Sequence, residues 1–359
     1  MKALALLGAL FLTASAAHGQ SVKTPTSYAA SIKKALSDSG FSGYALVARD
    51  EATLYDGWVS FCPQFPSGIV MCDPPGKPGE RRWPWASVSK QMAAIVTLQQ
   101  VERSVLRLDD PIGKWITLPG KLPSPTVRQL LQHRAGLRNS NETPIDEATG
   151  LPSFYSGDGT AEWCLHKRGA PGGAWSYNNC DYIVLDAVLK RAAGRSVKQL
   201  FEDGIARPLG LKRAGYLDAA SDPNERLGKR TASLFAGWGA AGSLAGPPHE
   251  LLKIDRALLA GKLLKPESRR VLWEGDPALG YMALGQWSFE AGLKGCAKPM
   301  RVIERRGAID VTQVRNFILP DRGIVVILFT HVGEDRFDFG EIWQGKGPSH
   351  NILSAVACT

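Results

Sequence analysis

Two hydrophobic rhythms divide this chain. Residues 27–38 carry apolar positions at Tyr28, Ile32 and Leu36, a spacing of four that predicts an amphipathic helix. Residues 43–55 read strand, turn, strand: Tyr44-Ala45-Leu46-Val47-Ala48, then Arg49-Asp50-Glu51, then Thr53-Leu54-Tyr55. The Pro- and Gly-rich stretch from Phe61 to Glu80 predicts a loop. After it a helix begins near Ser87, with Met92, Ala93, Ile95, Val96, Leu98 and Val101 spread over more than one face. Such a helix belongs between layers. Further helices are predicted at 126–133, at 181–193 with Gly194 as the stop, at 197–205 before Pro208, and at 247–259 with proline near its start. Residues 138–172 read as irregular. The last third turns to strands, at 281–289, 300–304, 311–319 and 324–329, with Pro320-Asp321-Arg322-Gly323 as a hairpin turn and a closing helix over 349–356. Strands at both ends and helices between them predict an α+β architecture: one antiparallel sheet built from both termini, flanked by helices, with a mainly helical insert. The expected division is an α/β part at about 24–110 and 235–359 and a helical part at about 111–234.

The first residues follow another pattern. Lys2, the short apolar run Ala3 to Leu12 and the small residues Thr13-Ala14-Ser15-Ala16-Ala17 predict an export signal over 1–19, cleaved near Ala17 or Gly19. The run is too short for a membrane span, and no later segment is apolar for long enough. The remainder, about 340 residues, suffices for a large core. A periplasmic location follows as the expectation.

Six cysteines remain after that signal, and an even count in an exported chain favours disulfides. Their spacing leaves the connectivity open. The sequential set, Cys62–Cys72, Cys164–Cys180 and Cys296–Cys358, is preferred. No C-x-x-C pair and no histidine at ligand spacing points to a metal. The net charge of +9 is dispersed in pairs such as Arg81-Arg82 and Arg269-Arg270. No basic stripe with interleaved aromatics marks a nucleic-acid surface.

The candidate chemistry starts at Ser87-Val88-Ser89-Lys90. Positions i and i+3 share a helix face, so this spacing sets a hydroxyl beside an amine, and a serine so placed is activated without histidine or aspartate. Four letters are weak evidence, because Ser31-Ile32-Lys33-Lys34 has the same spelling on an ordinary amphipathic helix. The partner that distinguishes Ser87 is Tyr177-Asn178-Asn179, on a turn-rich approach to a helix. A tyrosine hydroxyl near Lys⁺ is suited to move the serine proton. Taken alone, Tyr177 is a half-buried aromatic; its pairing with Ser87 reverses that preference. His133 and His331 read as packed histidines, Asp109 and Asp110 as a cap or turn, and Trp83 and Trp85 as packing beside the nucleophile.

At these residues the chain resembles a known family. Trp85-Ala86-Ser87-Val88-Ser89-Lys90-Gln91, Leu108-Asp109-Asp110-Pro111, the stretch Val127 to Leu137, Trp175-Ser176-Tyr177-Asn178-Asn179 and Pro208-Leu209-Gly210-Leu211 are similar, in order, to the serine β-lactamase and penicillin-binding-protein superfamily. The branch is that of class C β-lactamases, D-alanyl-D-alanine carboxypeptidases, D-aminopeptidases and related esterases. The resemblance covers roughly residues 27 to 335. It implies a β-lactamase/transpeptidase-like fold, with Ser87 as the acylated nucleophile, Lys90 as its activator and Tyr177 as base and acid. It also implies Asn179 as a ligand of Lys90 and the substrate amide, and the backbone N–H groups of Ser87 and Ala308 as the oxyanion hole. The third motif departs from the family. In Glu304-Arg305-Arg306-Gly307-Ala308 the glycine is in place, Arg305 stands where Lys or His is usual, and Arg306 replaces a small or hydroxyl residue. Arg305 keeps the charge and is suited to a carboxylate. Arg306 either narrows the cleft or points away.

The function expected is an exported serine hydrolase working through an acyl-enzyme on a β-lactam, D-amino-acid peptide or ester, without metal or organic cofactor. The partner expected is a small-molecule or peptide substrate, with no nucleic acid and no stable membrane span. The rival, motivated by Arg305 and Arg306, is a protein on the same scaffold that binds wall fragments or stays acylated.

Overall fold

A six-stranded sheet has apolar residues on both faces. The computed structural model describes residues 25–59, 78–156, 159–217, 235–309 and 312–358. The export signal, the Cys62–Cys72 pair and most of the 61–80 loop fall outside them. The strands are β1 (Gly43–Arg49), β2 (Ala52–Val59), β3 (Trp287–Ala291), β4 (Met300–Ile309), β5 (Thr312–Leu319) and β6 (Ile324–Thr330), in the order β2-β1-β6-β5-β4-β3. All neighbours are antiparallel. The amino-terminal hairpin therefore joins the carboxy-terminal strands through β1 and β6, with Tyr44 opposite Phe329.

Alternation assigns side chains to the two faces. Tyr44, Leu46, Val325, Ile327 and Phe329 enter the core that surrounds α2 (Ser89–Glu102). Ala45, Val47, Ile324, Val326 and Leu328 enter the other core. There α1 (Pro25–Asp38) contributes Ile32 and Leu36, and α5 (Pro348–Ala357) contributes Ile352, Leu353 and Val356. Two helices from opposite ends of the chain thus cover one face of the sheet.

The other face carries α2, in which Ser89 to Gln100 are all buried. Several of its polar groups find partners inside. Gln91 Nε2 donates to Asp255 Oδ1 at 3.1 Å and Gln91 Oε1 accepts from Asn316 at 3.1 Å. Gln99 Nε2 donates to the carbonyls of Gly204 and Leu263. Buried polar groups need such partners, and these fix α2 between the sheet and its neighbours. Around it lie α3 (Asn179–Ala193) and α4 (Pro248–Leu259). A three-stranded sheet, Trp83–Pro84, Leu244–Gly246 and Gly215–Tyr216, borders the start of α2.

The structure corrects the expected elements in several places; the strand expected at 300–304 runs on to Ile309. Ser87 lies in a 3₁₀ turn, Ala86–Val88, that runs into α2, not in the α-helix itself. The strand expected from 281 begins at Trp287, because the chain turns at Gly280, Tyr281 and Gly285, all at positive φ. A Cβ on Gly285 would stand 2.6 Å from the Lys90 carbonyl, so the segment is pressed onto α2 before the sheet begins. Pro266–Leu272 is a helix that the pattern reading left unassigned, although it has proline at its start, Glu267 in its first turn and arginines in its last. Within 138–172 there are short elements, including the two-residue strands Ile145–Asp146 and Leu151–Pro152 and the helix Ala161–Leu165.

Candidate active site

The turn before α2 holds Ser87 in a constrained frame. Ala86 adopts φ +44°, an uncommon backbone state for a residue with a side chain. Trp85 N–H donates to Leu244 O at 2.7 Å and Trp85 Nε1 to Gly246 O at 2.9 Å. Ser89, the second serine of the motif, is fully buried; its hydroxyl donates to Ala86 O at 2.6 Å and accepts from Leu244 N–H at 3.0 Å. One serine is thus a structural brace and the other carries an available hydroxyl. At the decoy motif, Lys34 pairs with Asp38 on the surface.

Three elements converge on Ser87. Its Oγ lies 2.5 Å from Tyr177 OH. Lys90 Nζ lies 3.0 Å from Ser87 Oγ, 2.7 Å from Tyr177 OH, 2.7 Å from Asn179 Oδ1 and 2.6 Å from the carbonyl oxygen of Ala241. Asn178 caps α3, its side chain accepting from Cys180 N–H, and this places Tyr177 just outside the helix and Asn179 at its first turn. The Cys164–Cys180 disulfide ties that helix start to the neighbouring Ala161–Leu165 helix. The expected pair Cys296–Cys358 is also formed.

The hydrogen-bond count around Lys90 decides what the amine can do. Asn179 Oδ1 and Ala241 O only accept, so they occupy two N–H groups. The third position faces the two hydroxyls. In the ammonium form it is a third N–H; in the neutral amine it is a lone pair aimed at Ser87 and Tyr177. Burial, reinforced by the Arg305 charge and opposed by Asp181, holds Lys90 well below the usual lysine range. The environment thus shifts Lys90 towards the neutral amine.

The edge strand closes the site. Arg305 and Gly307 share the face of β4 turned to the nucleophile. A Cβ on Gly307 would stand 2.9 Å from Ser87 N and 2.7 Å from Trp85 O, so strand and turn meet backbone to backbone. Ala308 follows, opposite Gln313 of β5. β3 pairs with β4 only as far as Glu304, which leaves 305–309 without a partner strand on that side among the described residues. Arg305 is 1 % exposed; its Nε donates to Ser87 O at 2.7 Å and an Nη to Tyr177 OH at 3.3 Å. Its fork is therefore turned inward. Arg306 points away from the nucleophile, with Glu341 at 2.8 Å and Glu304 at 3.0 Å. All seven residues singled out in the sequence, Ser87, Lys90, Tyr177, Asn179, Arg305, Gly307 and Ala308, thus lie at or beside one cluster.

Other groups at the cluster were missed. The Ala241 carbonyl carries no residue-type signal. Tyr155, in the stretch read as irregular, accepts from Asn179 Nδ2 at 2.9 Å and donates to Asn141 Oδ1 at 2.9 Å. His133 is packed, as expected, with Nδ1 at 3.0 Å from Asn178 O and its ring 4.7 Å from that of Tyr177. Burial, then the Lys90 and Arg305 charges, holds its pKa well below the usual histidine range. Burial pushes the neighbouring Asp181 carboxyl well above the usual range, against the attraction of Lys90. Asp109 and Asp110 pair with Arg128 and Lys114, and His331 stacks on Trp83 at 4.3 Å.

Comparison with known proteins shows relatives in both sequence and fold. The Beta-lactamase family model matches residues 29–344. Esterase EstB of Burkholderia gladioli is 28 % identical over 150 residues, covering 37 % of this chain and 38 % of the esterase. The D-alanyl-D-alanine-carboxypeptidase/endopeptidase AmpH of Escherichia coli is 28 % identical over 140 residues, 36 % of each chain. The match thus spans little more than a third of either relative's length. A D-stereospecific amidohydrolase from Streptomyces sp. superposes with a TM-score of 0.69 at 20 % identity, covering 92 % of this chain and 98 % of that one, and so shares its fold.

Proposed function

This chain belongs to the Beta-lactamase family, and from that premise we propose that it is an exported serine hydrolase that cleaves small amides or esters through a Ser87 acyl-enzyme. The observation that carries the reading is Lys90 Nζ within 3.0 Å of both Ser87 Oγ and Tyr177 OH, anchored by Asn179 and Ala241. Ser87 Oγ attacks the substrate carbonyl and its proton passes to Lys90, directly or through Tyr177. The backbone N–H groups of Ser87 and Ala308 receive the oxyanion. The C–O or C–N bond then breaks, and Tyr177 returns the proton to the leaving group. Water attacks the acyl-enzyme ester, the acid leaves and Ser87 is regenerated. Asn179 holds Lys90 and meets the substrate amide, and the unpaired edge at 305–309 receives the substrate backbone. Arg305 braces Ser87 and Tyr177 from beneath.

Export is supported by the two disulfides, Cys164–Cys180 and Cys296–Cys358. Among the described residues no helix is long and apolar enough to cross a membrane. The substrate is a β-lactam, a D-amino-acid peptide or an ester. Intact-protein mass after incubation with nitrocefin, p-nitrophenyl esters and D-Ala-D-Ala peptides tests the proposal. A transient adduct on Ser87, absent in Ser87→Ala, is expected. Release limited to one equivalent would favour the non-turnover sensor instead, and labelling of Ser87→Ala by a fluorophosphonate to the wild-type extent would remove the assignment.

A further inference from the structure

Lys90 has two fixed acceptors, Asn179 Oδ1 and the Ala241 carbonyl, and both lead back to one side chain, Tyr155. Asn179 Nδ2 donates to Tyr155 OH at 2.9 Å and to Asn141 Oδ1 at 3.2 Å. Tyr155 OH in turn donates to Asn141 Oδ1 at 2.9 Å and lies 2.7 Å from Ser140 Oγ. A hydroxyl has one proton to give. With that proton on Asn141, Tyr155 turns only lone pairs towards Asn179 and Ser140. It therefore takes the NH2 end of the Asn179 amide and leaves the carbonyl end for Lys90. Ser140, Tyr155 and Asn179 are buried, whereas Asn141 is exposed. Burial pushes the Tyr155 hydroxyl above the usual tyrosine range, so it keeps the proton that this arrangement uses.

The ring of Tyr155 reaches the second acceptor. It stacks on Trp238 with centroids 3.8 Å apart and planes 6° from parallel. Trp238 is the N-cap of the short helix Gly239–Gly242, and its carbonyl accepts from Ala241 N–H at 2.9 Å. A Cβ on Gly242 would stand 3.2 Å from the Trp238 ring, so ring and helix are in close contact. The turn that carries the Ala241 carbonyl is thus packed onto Tyr155 through one indole. We propose that Tyr155 is a positioning residue for Lys90: its hydroxyl fixes which end of the Asn179 amide faces the amine, and its ring, through Trp238, fixes the Ala241 carbonyl. The inference rests on the serine-hydrolase reading, in which Lys90 takes the Ser87 proton. With both acceptors in place, two N–H groups are drawn away from Ser87 and the third position of the amine stays on Ser87 and Tyr177. Without the Tyr155 hydroxyl, the Asn179 amide is free to turn its NH2 end to the amine.

The test is the pH profile of Ser87 labelling by a fluorophosphonate on the full chain, with urea unfolding measured alongside. Tyr155→Phe keeps the stack and removes the hydroxyl. Its labelling plateau is expected to fall about 10-fold, the scale of one lost hydrogen bond. Its acidic limb is expected to move to lower pH, because an acceptor favours the ammonium form and its loss lowers the Lys90 pKa. Trp238→Leu keeps the hydroxyl and removes the stack, and should move the limb the same way through Ala241. The titratable groups facing Lys90, which are Tyr177, Tyr182 and Asp181 on the α3 side, His133, and Arg305 of β4, are unchanged in these variants. A role in stability alone would lower the urea midpoint and leave the limb in place. Asn141→Ala, at an exposed position, releases the Tyr155 proton and keeps the test decisive where Tyr155→Phe does not fold. An unmoved limb with a parental plateau in folded Tyr155→Phe or Asn141→Ala overturns the inference while leaving Ser87 acylation intact. Failure of the fluorophosphonate to label Ser87 in the parent overturns the hydrolase reading, and the role of Tyr155 with it.

Discussion

Arg305 Nε donates to the Ser87 carbonyl oxygen at 2.7 Å, so one hydrogen bond joins the edge strand to the nucleophile turn. The two residues are 218 positions apart in sequence. The same guanidinium reaches Tyr177 and adds positive charge near Lys90. A residue placed in the family's substrate-binding motif is thereby built into the support of the nucleophile.

Replacing Arg305 separates those two effects. Arg305→Gln removes a charge that helps to lower the Lys90 pKa, so that pKa rises and the acidic limb of the acylation rate moves to higher pH. Arg305→Lys keeps the charge and loses the fork, so the limb stays while the plateau falls, on the order of 100-fold for lost preorganisation. The pH dependence of acylation measures both. An unmoved limb in Arg305→Gln would show that burial alone holds Lys90 down.

Gly307→Ala tests the close approach of strand and turn. The new Cβ would meet backbone atoms, Trp85 O at 2.7 Å and Ser87 N at 2.9 Å, which cannot swing aside as a flexible side chain does. The strand or the turn must shift, and a displacement of about 1 Å at the reacting centre costs roughly 100-fold in rate. The expected result is a folded protein with acylation reduced to that extent. Wild-type acylation would mean that the two backbones are not held in register.

The Cys164–Cys180 bridge is expected to support both stability and the site. Its 16-residue separation corresponds to about 3 kcal/mol in the chain-entropy view. Cys180 directly follows Asn179, so the bridge also anchors the residue that holds Lys90. The Cys164→Ala, Cys180→Ala double variant should lose stability of that size in urea unfolding and acylate more slowly even where it is fully folded. Unchanged acylation in the folded variant would confine the bridge to stability.

What the sequence could show follows from where each signal resides. Ile324 to Phe329 was legible as a strand because both faces of β6 are buried and the run is continuously apolar. Ser87, Lys90, Tyr177 and Asn179 were legible because side-chain type carries their chemistry. The Ala241 carbonyl was not, since every residue has one. Arg305 was visible as a charge, but its inward direction depends on how β4 packs against the Ser87 turn, a contact between distant segments. Residues 281–284 are a short apolar run that fits a strand, and only the close approach of Gly285 to the Lys90 carbonyl shows why they turn instead.

Asp255 makes stability depend on pH. It is fully buried, bonded to Gln91, and burial pushes its carboxyl from 3.8 up to about 7. The folded chain therefore holds this proton more tightly than the unfolded chain. Its contribution is fully present below pH 3.8, declines as pH rises and is lost by about pH 7. The total is on the order of 4 kcal/mol, at 1.36 kcal/mol per unit. Asp255→Asn keeps an acceptor for Gln91 and cannot ionise. It should be more stable than the parent at pH 8 and equal to it near pH 4, as read from urea midpoints at the two pH values. Equal stability at pH 8 would mean that the buried carboxylate is solvated by a route other than Gln91 and Asn316.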